Sequence, residues 1–191
     1  MIRRKHLVAA LAALFLSGCA GADLLAAGQP ADLGDGVSIV PTTAWAKVHS
    51  MGAEPILTID GIGLDEVHYY MGVEAGKPII TIPTISDKET GTYSTGMLPN
   101  DVMDLLVGTL SKAGEQGVHA SHLSPAKFGA VNGFKFALAY VTKDGLDMQG
   151  EALIAQRGGK LDVLVFVAPQ EYYFARRLPD AEQLFATVRA N

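Results

Sequence analysis

The second half of the chain alternates apolar and polar residues with the period of a β-strand. Between residues 134 and 141, one face carries Phe134, Phe136, Leu138 and Tyr140, and the other carries Lys135, Ala137, Ala139 and Val141. The turn signal Lys143-Asp144-Gly145 predicts that a strand at 148–156 runs back alongside. Residues 161–167 are apolar on both faces, which indicates a central strand that is covered on two sides.

Shorter apolar runs predict the remaining strands. In the first half of the chain they cover 37–40, 55–59, 64–70 and 78–82, and a proline, an Asp-Gly pair or a glycine follows each. Two more short strands are expected at 118–123 and 126–131, on either side of Ser124-Pro125.

Helical periodicity occurs twice. One helix is expected to open at Pro99, to be capped by Asn100 and to end at Gly114, and a second is expected to open at Pro179. The polar residues 84–96 are expected to form a long loop. Helices separated by runs of antiparallel strand predict an α+β fold, a mostly antiparallel sheet packed with helices.

The first 18 residues have the pattern of an export signal. Basic residues at 3–5 precede an apolar run at 7–16, which is shorter than the roughly 20 residues that a membrane-spanning helix needs. Leu16-Ser17-Gly18-Cys19 matches the bacterial lipobox, which implies attachment of diacylglycerol to Cys19 and cleavage before it. The pair Arg3-Arg4 lacks the rest of the twin-arginine motif, so we expect general secretion.

Composition limits what the mature protein can be. Cys19 is the only cysteine, so the monomer has no internal disulfide. We expect 1–18 to be a lipoprotein signal peptide, 19–35 a flexible tether and 36–191 a single globular domain. Loss of the basic residues 3–5 changes the formal charge from −5 to −8, and so acidic a chain is repelled by nucleic acid and by anionic headgroups.

Two histidine-containing stretches are candidates for metal binding. Glu66 and His68 share a face if 64–70 is a strand, but a zinc site needs three or four ligands, and a solvated polar face is the expectation here. His119 and His122 are three residues apart and face opposite sides of a strand. We therefore expect no metal site.

Catalytic motifs are also missing from the sequence. The hydroxyls of Ser94, Ser111, Ser121 and Ser124 lie outside any G-x-S-x-G turn. Gly91 and Gly96 are spaced like a phosphate loop, but Met97-Leu98 stands where Lys-Ser/Thr is needed. We expect neither enzymatic activity nor a cofactor.

Aromatic and basic residues form the one candidate contact surface. Tyrosine combines apolar area with a hydrogen-bonding tip and is common where partners bind. The candidate patch for a peptide, glycan or lipid headgroup consists of Tyr69, Tyr70, Tyr172, Tyr173, Arg176 and Arg177. The alternative is that these aromatics cap the core.

The order of elements resembles the PsbP-like α/β/α sandwich, which also occurs in bacterial lipoproteins. The resemblance rests on residues 37–41 followed by Trp45, the helix near residue 100, the strands at 134–142 and 161–168, the segment 168–174 and the final helix. It implies a binding or assembly role more often than catalysis, and the fold alone assigns no function.

Three functions are compared on this basis. The first is a non-enzymatic, lipid-anchored envelope protein that binds a partner or assists assembly at the periplasmic face. The second is a carrier for a small apolar ligand or lipid, which needs an internal cavity. The third, an envelope hydrolase, requires Glu66, His68, His119 and His122 to converge in one cleft. Ala20 stands after Cys19 where Asp would favour inner-membrane retention, so the resemblance to lipoproteins favours the outer membrane.

Overall fold

The computed structural model describes residues 21–49 and 54–190. The signal sequence and Cys19 lie outside these residues, so the structure does not test lipidation. None of the helices in the described part is long and apolar enough to cross a membrane.

The described chain forms short strands first, then two helices, a long meander and a terminal helix. The strands of the first part are β1 (Ala22–Leu25), β2 (Ala31–Gly34), β3 (Val37–Ile39), β4 (Trp45–Val48), β5 (Ile56–Thr58) and β6 (Glu66–Val73). The helices are α1 (Asp87–Thr90), α2 (Pro99–Ala113) and α3 (Ala175–Ala186). The remaining strands are β7 (Gln116–Phe128), β8 (Val131–Val141), β9 (Asp147–Arg157), β10 (Lys160–Pro169) and β11 (Arg189–Ala190).

Eight strands form one antiparallel sheet in the order β1-β4-β5-β6-β10-β9-β8-β7, and β11, β3 and β2 form a small second sheet. In β10 every residue after Lys160 is buried, so the prediction of a central strand is confirmed. The hairpin at Lys143-Asp144-Gly145 is confirmed as well, because β8 and β9 pair from Val141 and Asp147 onwards.

Alternating side chains of the sheet supply two cores. Leu161, Val163 and Val165 of β10 pack under α2, and Leu164 and Phe166 pack on the opposite face with α3 and the small sheet. Helices therefore cover both faces of a mostly antiparallel sheet, and the predicted α+β class with an α/β/α arrangement is confirmed.

The residues expected to form a tether are instead part of the fold. Strand β1 pairs with β4, and β2 pairs with β3, where Leu33 is buried. The prediction of a flexible segment at 19–35 is wrong for 22–34, because these two strands are short and lack the alternation that identifies a strand in sequence. The described domain therefore begins three residues after Cys19.

A charged network holds the turn after β2 against the main sheet. The Nε of Arg157 donates to the buried carboxylate of Asp162 at 3.0 Å, and its Nη2 donates to the Asp35 carbonyl at 2.5 Å. Lys160 donates to Asp35 at 2.7 Å, and this hydrogen bond lowers the pKa of Asp35. Asp162 also accepts the backbone N–H of Gly72, at the bulge where β6 and β10 change register.

Helix α2 spans the predicted residues but is capped differently. The side chain of Asp101 accepts the backbone N–H of Leu98 at 3.0 Å, and Asn100 is already inside the helix, so its assignment as the cap is wrong. Gly114 ends the helix as predicted, with φ of 105° and its N–H on the carbonyls of Leu110 and Ser111.

Four other predicted elements differ. Residues 78–82 form no strand, and both edges of the preceding β6 are already paired with β5 and β10. The two strands expected at 118–123 and 126–131 are one strand up to Phe128, β7, whose position at the sheet edge tolerates the missing N–H of Pro125. Residues 84–96 contain the short helix α1, capped by Ser86. Helix α3 begins at Ala175, before Pro179, which is its fifth residue.

The two ends of the main sheet differ in what they carry. At the end that we call the entry end, β10 begins at Lys160 and β6 ends, whereas Ala22 of β1 lies level with His68 and Val165, partway along the sheet. At the opposite end, which we call the far end, β6 begins, β8 ends and α2 is followed by β7. Strand β10 has 10 residues, so the ends are about 33 Å apart at the usual rise of an extended strand.

Candidate ligand pocket

A partly open cavity of about 230 Å³ lies between the main sheet and α2 at the far end. Half of the residues that line it are polar (Glu66, His68, Tyr70, Glu115 and Tyr140), and half are apolar (Ile80, Leu106, Leu110, Val165 and Val167). Two larger concavities, of about 430 and 420 Å³, are more open to solvent. We refer to the cavity under α2 as the pocket.

Strand β6 brings three of the polar side chains to the pocket. Glu66, His68 and Tyr70 alternate along the strand and therefore share one face, as predicted for Glu66 and His68. This face of the sheet lies against α2. The prediction of a solvated polar face is wrong, because the side chains of Glu66 and His68 are only 16% and 28% exposed. Helix α2 and the segment around Ile80 cover this face, and neither contact is visible in the local sequence pattern.

Glu66 and His68 form a close pair. The Nε2 of His68 lies 2.8 Å from the Glu66 carboxylate, which also accepts the Gly63 N–H at 2.7 Å. Burial alone raises the pKa of Glu66, but the hydrogen bond with His68, the imidazole charge and the Gly63 N–H bring it below its ordinary value. Glu66 is therefore a carboxylate at neutral pH.

Glu115 contributes a second carboxyl group from the other side of the pocket. It follows the helix-ending Gly114, its N–H donates to the Leu110 carbonyl at 3.2 Å, and the next residue opens β7. Its Oε2 is buried without a hydrogen-bond partner among the described residues. Burial raises the pKa of Glu115, and the charge of Lys143 offsets part of that rise. A buried acceptor with no donor is costly, and such groups often mark a site that something else completes.

Tyr70 and Tyr140 complete the polar side of the pocket. Burial raises the pKa of both phenols, and the charge of Glu66 raises each further. Both phenols are therefore neutral at physiological pH and offer hydroxyls and ring faces.

The apolar half of the pocket comes from α2, β10 and the segment after β6. Gly150 of β9 lies on the same face, paired with Leu138 and Val167, and a side chain there would meet Val167 at 3.0 Å. A glycine at this position therefore lets β9 pack closely beside Val167, which lines the pocket. The volume is below the roughly 300–1,000 Å³ of drug-sized sites, whereas a cavity of about 150 Å³ in another protein takes up benzene.

Asp65, the neighbour of Glu66, has a structural role on the other face. Its carboxylate accepts the N–H groups of Ile59 and Asp60 at 2.8 and 2.7 Å and the Thr58 hydroxyl at 3.0 Å. The resulting turn presents Asp60 to the guanidinium of Arg177 through two hydrogen bonds of 2.7 and 2.6 Å.

The candidate aromatic patch is divided by the sheet. Tyr69 is buried on the α3 face, and Tyr70 lines the pocket on the opposite face. Arg177 pairs with Asp60 and Asp180. Of the six predicted residues, the structure brings together Tyr172, Tyr173 and Arg176, which we call the Tyr172 corner.

The Tyr172 corner is compact and exposed. Tyr172 is 61% exposed and has φ of 73°, an uncommon value for a residue other than glycine. Its ring packs edge-on against Tyr173 with centroids 5.0 Å apart. The guanidinium of Arg176 lies 5.2 Å from the Tyr172 ring centroid and donates to its hydroxyl.

The residues needed for a hydrolase do not converge. His119 and His122 lie on β7, four strand positions from β6, which is about 19 Å along the sheet at the usual strand spacing. The Ser121 hydroxyl lies 2.9 Å from His122, and both residues are exposed at the sheet edge. Among the described residues, no group of three or more His, Cys, Asp or Glu side chains is placed to hold a metal ion.

Sequence reasoning missed Glu115, Tyr140 and the apolar lining as site residues. Glu115 carries only a weak signal, an acidic residue directly after a helix-ending glycine, where a basic residue is the common choice. Tyr140 was expected on the apolar face of its strand, which is correct, but nothing local shows that this face ends in a cavity.

Comparison with known structures identifies the fold. No family model matches the sequence, and no curated protein is significantly similar to it. The solution structure of cyanobacterial PsbP (CyanoP) from Synechocystis sp. PCC 6803 aligns with a TM-score of 0.58 and 12% identity over 95% of this chain and 99% of that chain. The fold is PsbP-like. At this identity the similarity concerns the fold alone.

A second structure is more distant. LpqN, described as involved in cell envelope biogenesis of Mycobacterium tuberculosis, aligns with a TM-score of 0.38 and 10% identity over 90% of this chain and 85% of that chain. We base no conclusion about this PsbP-like chain on that alignment.

Proposed function

We propose that this protein is a non-enzymatic, lipid-anchored binding protein of the cell envelope, and that its binding site is the pocket under α2. The observation that carries the proposal is a cavity lined by Glu115, two tyrosines and the Glu66–His68 pair, in which Glu115 also has a buried carboxyl oxygen without a hydrogen-bond partner among the described residues. A native domain keeps such a costly group mainly where a ligand, an ion or water satisfies it.

A binding role fits this chemistry better than catalysis. Nucleophilic catalysis needs a hydroxyl or thiol next to an oriented base, and the hydroxyls that line the pocket are phenols. The exposed Ser121–His122 pair has no carboxylate behind the imidazole among the described residues. These features support a protein that holds a small molecule without changing it.

The pocket also bears on the alternative, a carrier for a small apolar ligand or lipid. Such a carrier needs a cavity, and one exists, but two carboxyl groups face into it. An apolar ligand would displace water from these groups without replacing its hydrogen bonds, which costs several kcal/mol for a charged group. The mixed lining therefore favours a polar or charged ligand.

The proposed anchor leads into an edge strand of the main sheet. Cys19 precedes β1 by three residues, and Ala22 lies level with His68, three strand positions away, which is about 14 Å at the usual strand spacing. A lipidated Cys19 would hold the β1 edge of the domain close to the membrane. Membrane fractionation tests the anchor: Cys19→Ser should move the protein to the soluble fraction, and a variant that stays with the membranes contradicts lipidation. Separation of inner from outer membranes tests the proposed outer-membrane location.

Ligand-observed NMR on the full-length lipidated protein tests the binding role. The probes are benzylammonium, benzyl alcohol, benzoate and hexanoate, chosen to differ in charge and shape. The proposal expects at least one probe to bind the wild type and to be excluded by Val165→Phe, which fills the pocket. Leu146→Phe, at an exposed position, should bind as the wild type does. A wild type that binds no probe contradicts the proposal, and preference for hexanoate supports the apolar-carrier alternative.

A second candidate function, docking of a folded envelope protein, is favoured by the Tyr172 corner. An exposed tyrosine held at positive φ and stacked by an arginine is a costly arrangement, and such strain is concentrated at functional sites. A photo-crosslinking amino acid at position 172 should capture one partner of defined mass in the native envelope. The same amino acid at position 146 is the control, and equal labelling at both positions contradicts docking at the corner.

A further inference from the structure

We propose that the ligand of the pocket is a small organic cation, a protonated primary amine on a short apolar body. This inference rests on the proposed binding function and adds the chemical class of the ligand. Four features of the pocket support it: the charge of its lining residues, its hydrogen-bond acceptors, its aromatic ring faces and the size of its apolar half.

The charge of the lining selects a cation. Two carboxyl groups, Glu66 and Glu115, face the pocket with one imidazole, and no lysine or arginine is among the lining residues. Glu66 shares a 2.8 Å hydrogen bond with His68, whereas Glu115 forms no ion pair with a described residue, although the charge of Lys143 acts on it from outside the lining. An anionic ligand would meet two carboxyl groups, and a neutral one would leave the Glu115 charge only partly compensated in a partly buried site.

The hydrogen-bond acceptors match an ammonium group. A primary ammonium carries three N–H donors and no acceptor. The pocket is lined by the Glu115 side chain, whose carboxyl group has one unpartnered oxygen, and by Tyr70 and Tyr140, whose hydroxyls form no hydrogen bond within the described chain. An ammonium beside Glu115 would therefore satisfy its own donors and the orphaned carboxylate together.

The tyrosine rings add a second attraction. A cation within about 6 Å of an aromatic ring centre is attracted by the ring, most strongly at desolvated sites. Tyr70 and Tyr140 come from β6 and β8 on the same face of the sheet and line the same pocket. Two neutral phenols near a carboxylate favour an organic cation over a neutral molecule of the same shape.

The apolar half of the pocket limits the body of the ligand. Leu106, Leu110, Val165 and Val167 provide aliphatic surface on the side formed by α2 and β10. A cavity of about 230 Å³ has room for one small ring or a short chain beside the ammonium, because about 150 Å³ is enough for benzene. A bare divalent cation fits poorly, since the described residues place no set of three metal-binding side chains together.

Isothermal titration calorimetry with three probes of one shape tests the proposal. Benzylammonium, benzyl alcohol and benzoate are titrated separately at pH 7.5 into the full-length lipidated protein in detergent. The expected order is benzylammonium at least tenfold tighter than benzyl alcohol, with benzoate weakest. Glu115→Gln keeps the shape and removes the charge, and it should weaken benzylammonium at least tenfold while leaving benzyl alcohol unchanged. Glu171→Gln, an exposed acidic position outside the pocket, is the matched control and should change neither affinity.

The outcomes separate this inference from the proposed function. If benzyl alcohol or benzoate binds as well as benzylammonium, or if Glu115→Gln leaves benzylammonium unaffected, the cation assignment is overturned while the pocket remains a binding site. If none of the three probes binds the wild type, both proposals are overturned. Circular dichroism of each variant establishes that it is folded before its affinity is compared.

Discussion

Removal of the Glu115 charge should make the unliganded protein more stable. The Oε2 of Glu115 is buried without a partner, and an unsatisfied buried polar group costs about 1–3 kcal/mol. We expect about 1 kcal/mol for Glu115→Gln, the low end of this range, because the amide is still a polar group without a partner, the residue is partly exposed and the Lys143 charge offsets part of the penalty. For a domain of this size, about 1 kcal/mol corresponds to a rise in Tm of about 2–4 °C.

The gain should depend on pH in a defined direction. Burial raises the pKa of Glu115 in the folded state, so the wild type loses stability relative to Gln as pH rises through that raised pKa. Below the ordinary pKa of 4.5, Glu115 is protonated in both states and the difference disappears. His68, Glu66 and Tyr140 face the same pocket but are present in both proteins, so their titration largely cancels in the comparison.

Thermal unfolding by circular dichroism between pH 4 and 8 measures this difference. The full-length wild type is compared with Glu115→Gln, and with Glu171→Gln as an exposed control that should stay within about 0.5 kcal/mol of the wild type. A Glu115→Gln variant that is no more stable at pH 7.5, or whose gain is the same at pH 4, would refute the assignment of a costly charge to this position. Addition of benzylammonium should raise the Tm of the wild type and have a smaller effect on Glu115→Gln.

Three structural contacts give further predictions. Arg157→Gln leaves the fully buried carboxylate of Asp162 without its ion partner. Urea unfolding should show that the free energy of unfolding falls by about 3–5 kcal/mol and is partly recovered when Asp162→Asn is added. A decrease below about 1 kcal/mol would contradict the role of the pair. A double-mutant cycle with Asp60→Asn and Arg177→Gln should give a coupling free energy of about 1 kcal/mol at pH 7, because the ion pair is bidentate but partly screened by solvent. That coupling should weaken as pH falls through the pKa of Asp60, which the Arg177 hydrogen bond lowers, and a coupling that does not change with pH on acidification would be inconsistent with an ion pair. Asp65→Asn replaces one buried acceptor oxygen with an N–H donor that faces the Ile59 N–H. Thermal melts should show that the free energy of unfolding falls by about 1–3 kcal/mol, and an unchanged Tm would exclude a role for Asp65 in the turn.

The meander was predictable because burial and strand period coincide there. In β8 the residues Phe134, Phe136 and Leu138 are buried on one face as the alternation indicates, and one slip of register would expose all of them. The central position of β10 followed from its two apolar faces. These signals are local, and each is repeated over several residues.

The edges of the fold were less predictable. Strands β1 and β2 have four residues each, which is too short for a clear alternation, and β1 also pairs with residues 20 to 26 positions away. The run 78–82 is as apolar as a strand, and its Ile79 is buried, but the preceding strand β6 already has β5 and β10 on its two sides. Apolar content predicts burial, whereas strand formation also requires an unpaired neighbour.

The pocket was only half visible in the sequence. Alternation placed Glu66 and His68 on one face, but their burial depends on α2 and Ile80, which come from distant parts of the chain. Glu115 reaches the pocket because Gly114 ends α2 with a left-handed turn, and its missing hydrogen-bond partner is a property of the packed structure. The aromatic patch was divided because adjacent strand residues such as Tyr69 and Tyr70 face opposite sides.

Intermolecular nuclear Overhauser effects test the location of the ligand most directly. The full-length protein carries ring-labelled tyrosine, and Tyr70→Phe and Tyr140→Phe assign the two signals. With benzylammonium present, we expect contacts from its methylene protons to the Tyr70 and Tyr140 rings, and their loss in Glu115→Gln. Contacts to other tyrosines such as Tyr172, or unchanged contacts in Glu115→Gln, would contradict a cation site in the pocket under α2.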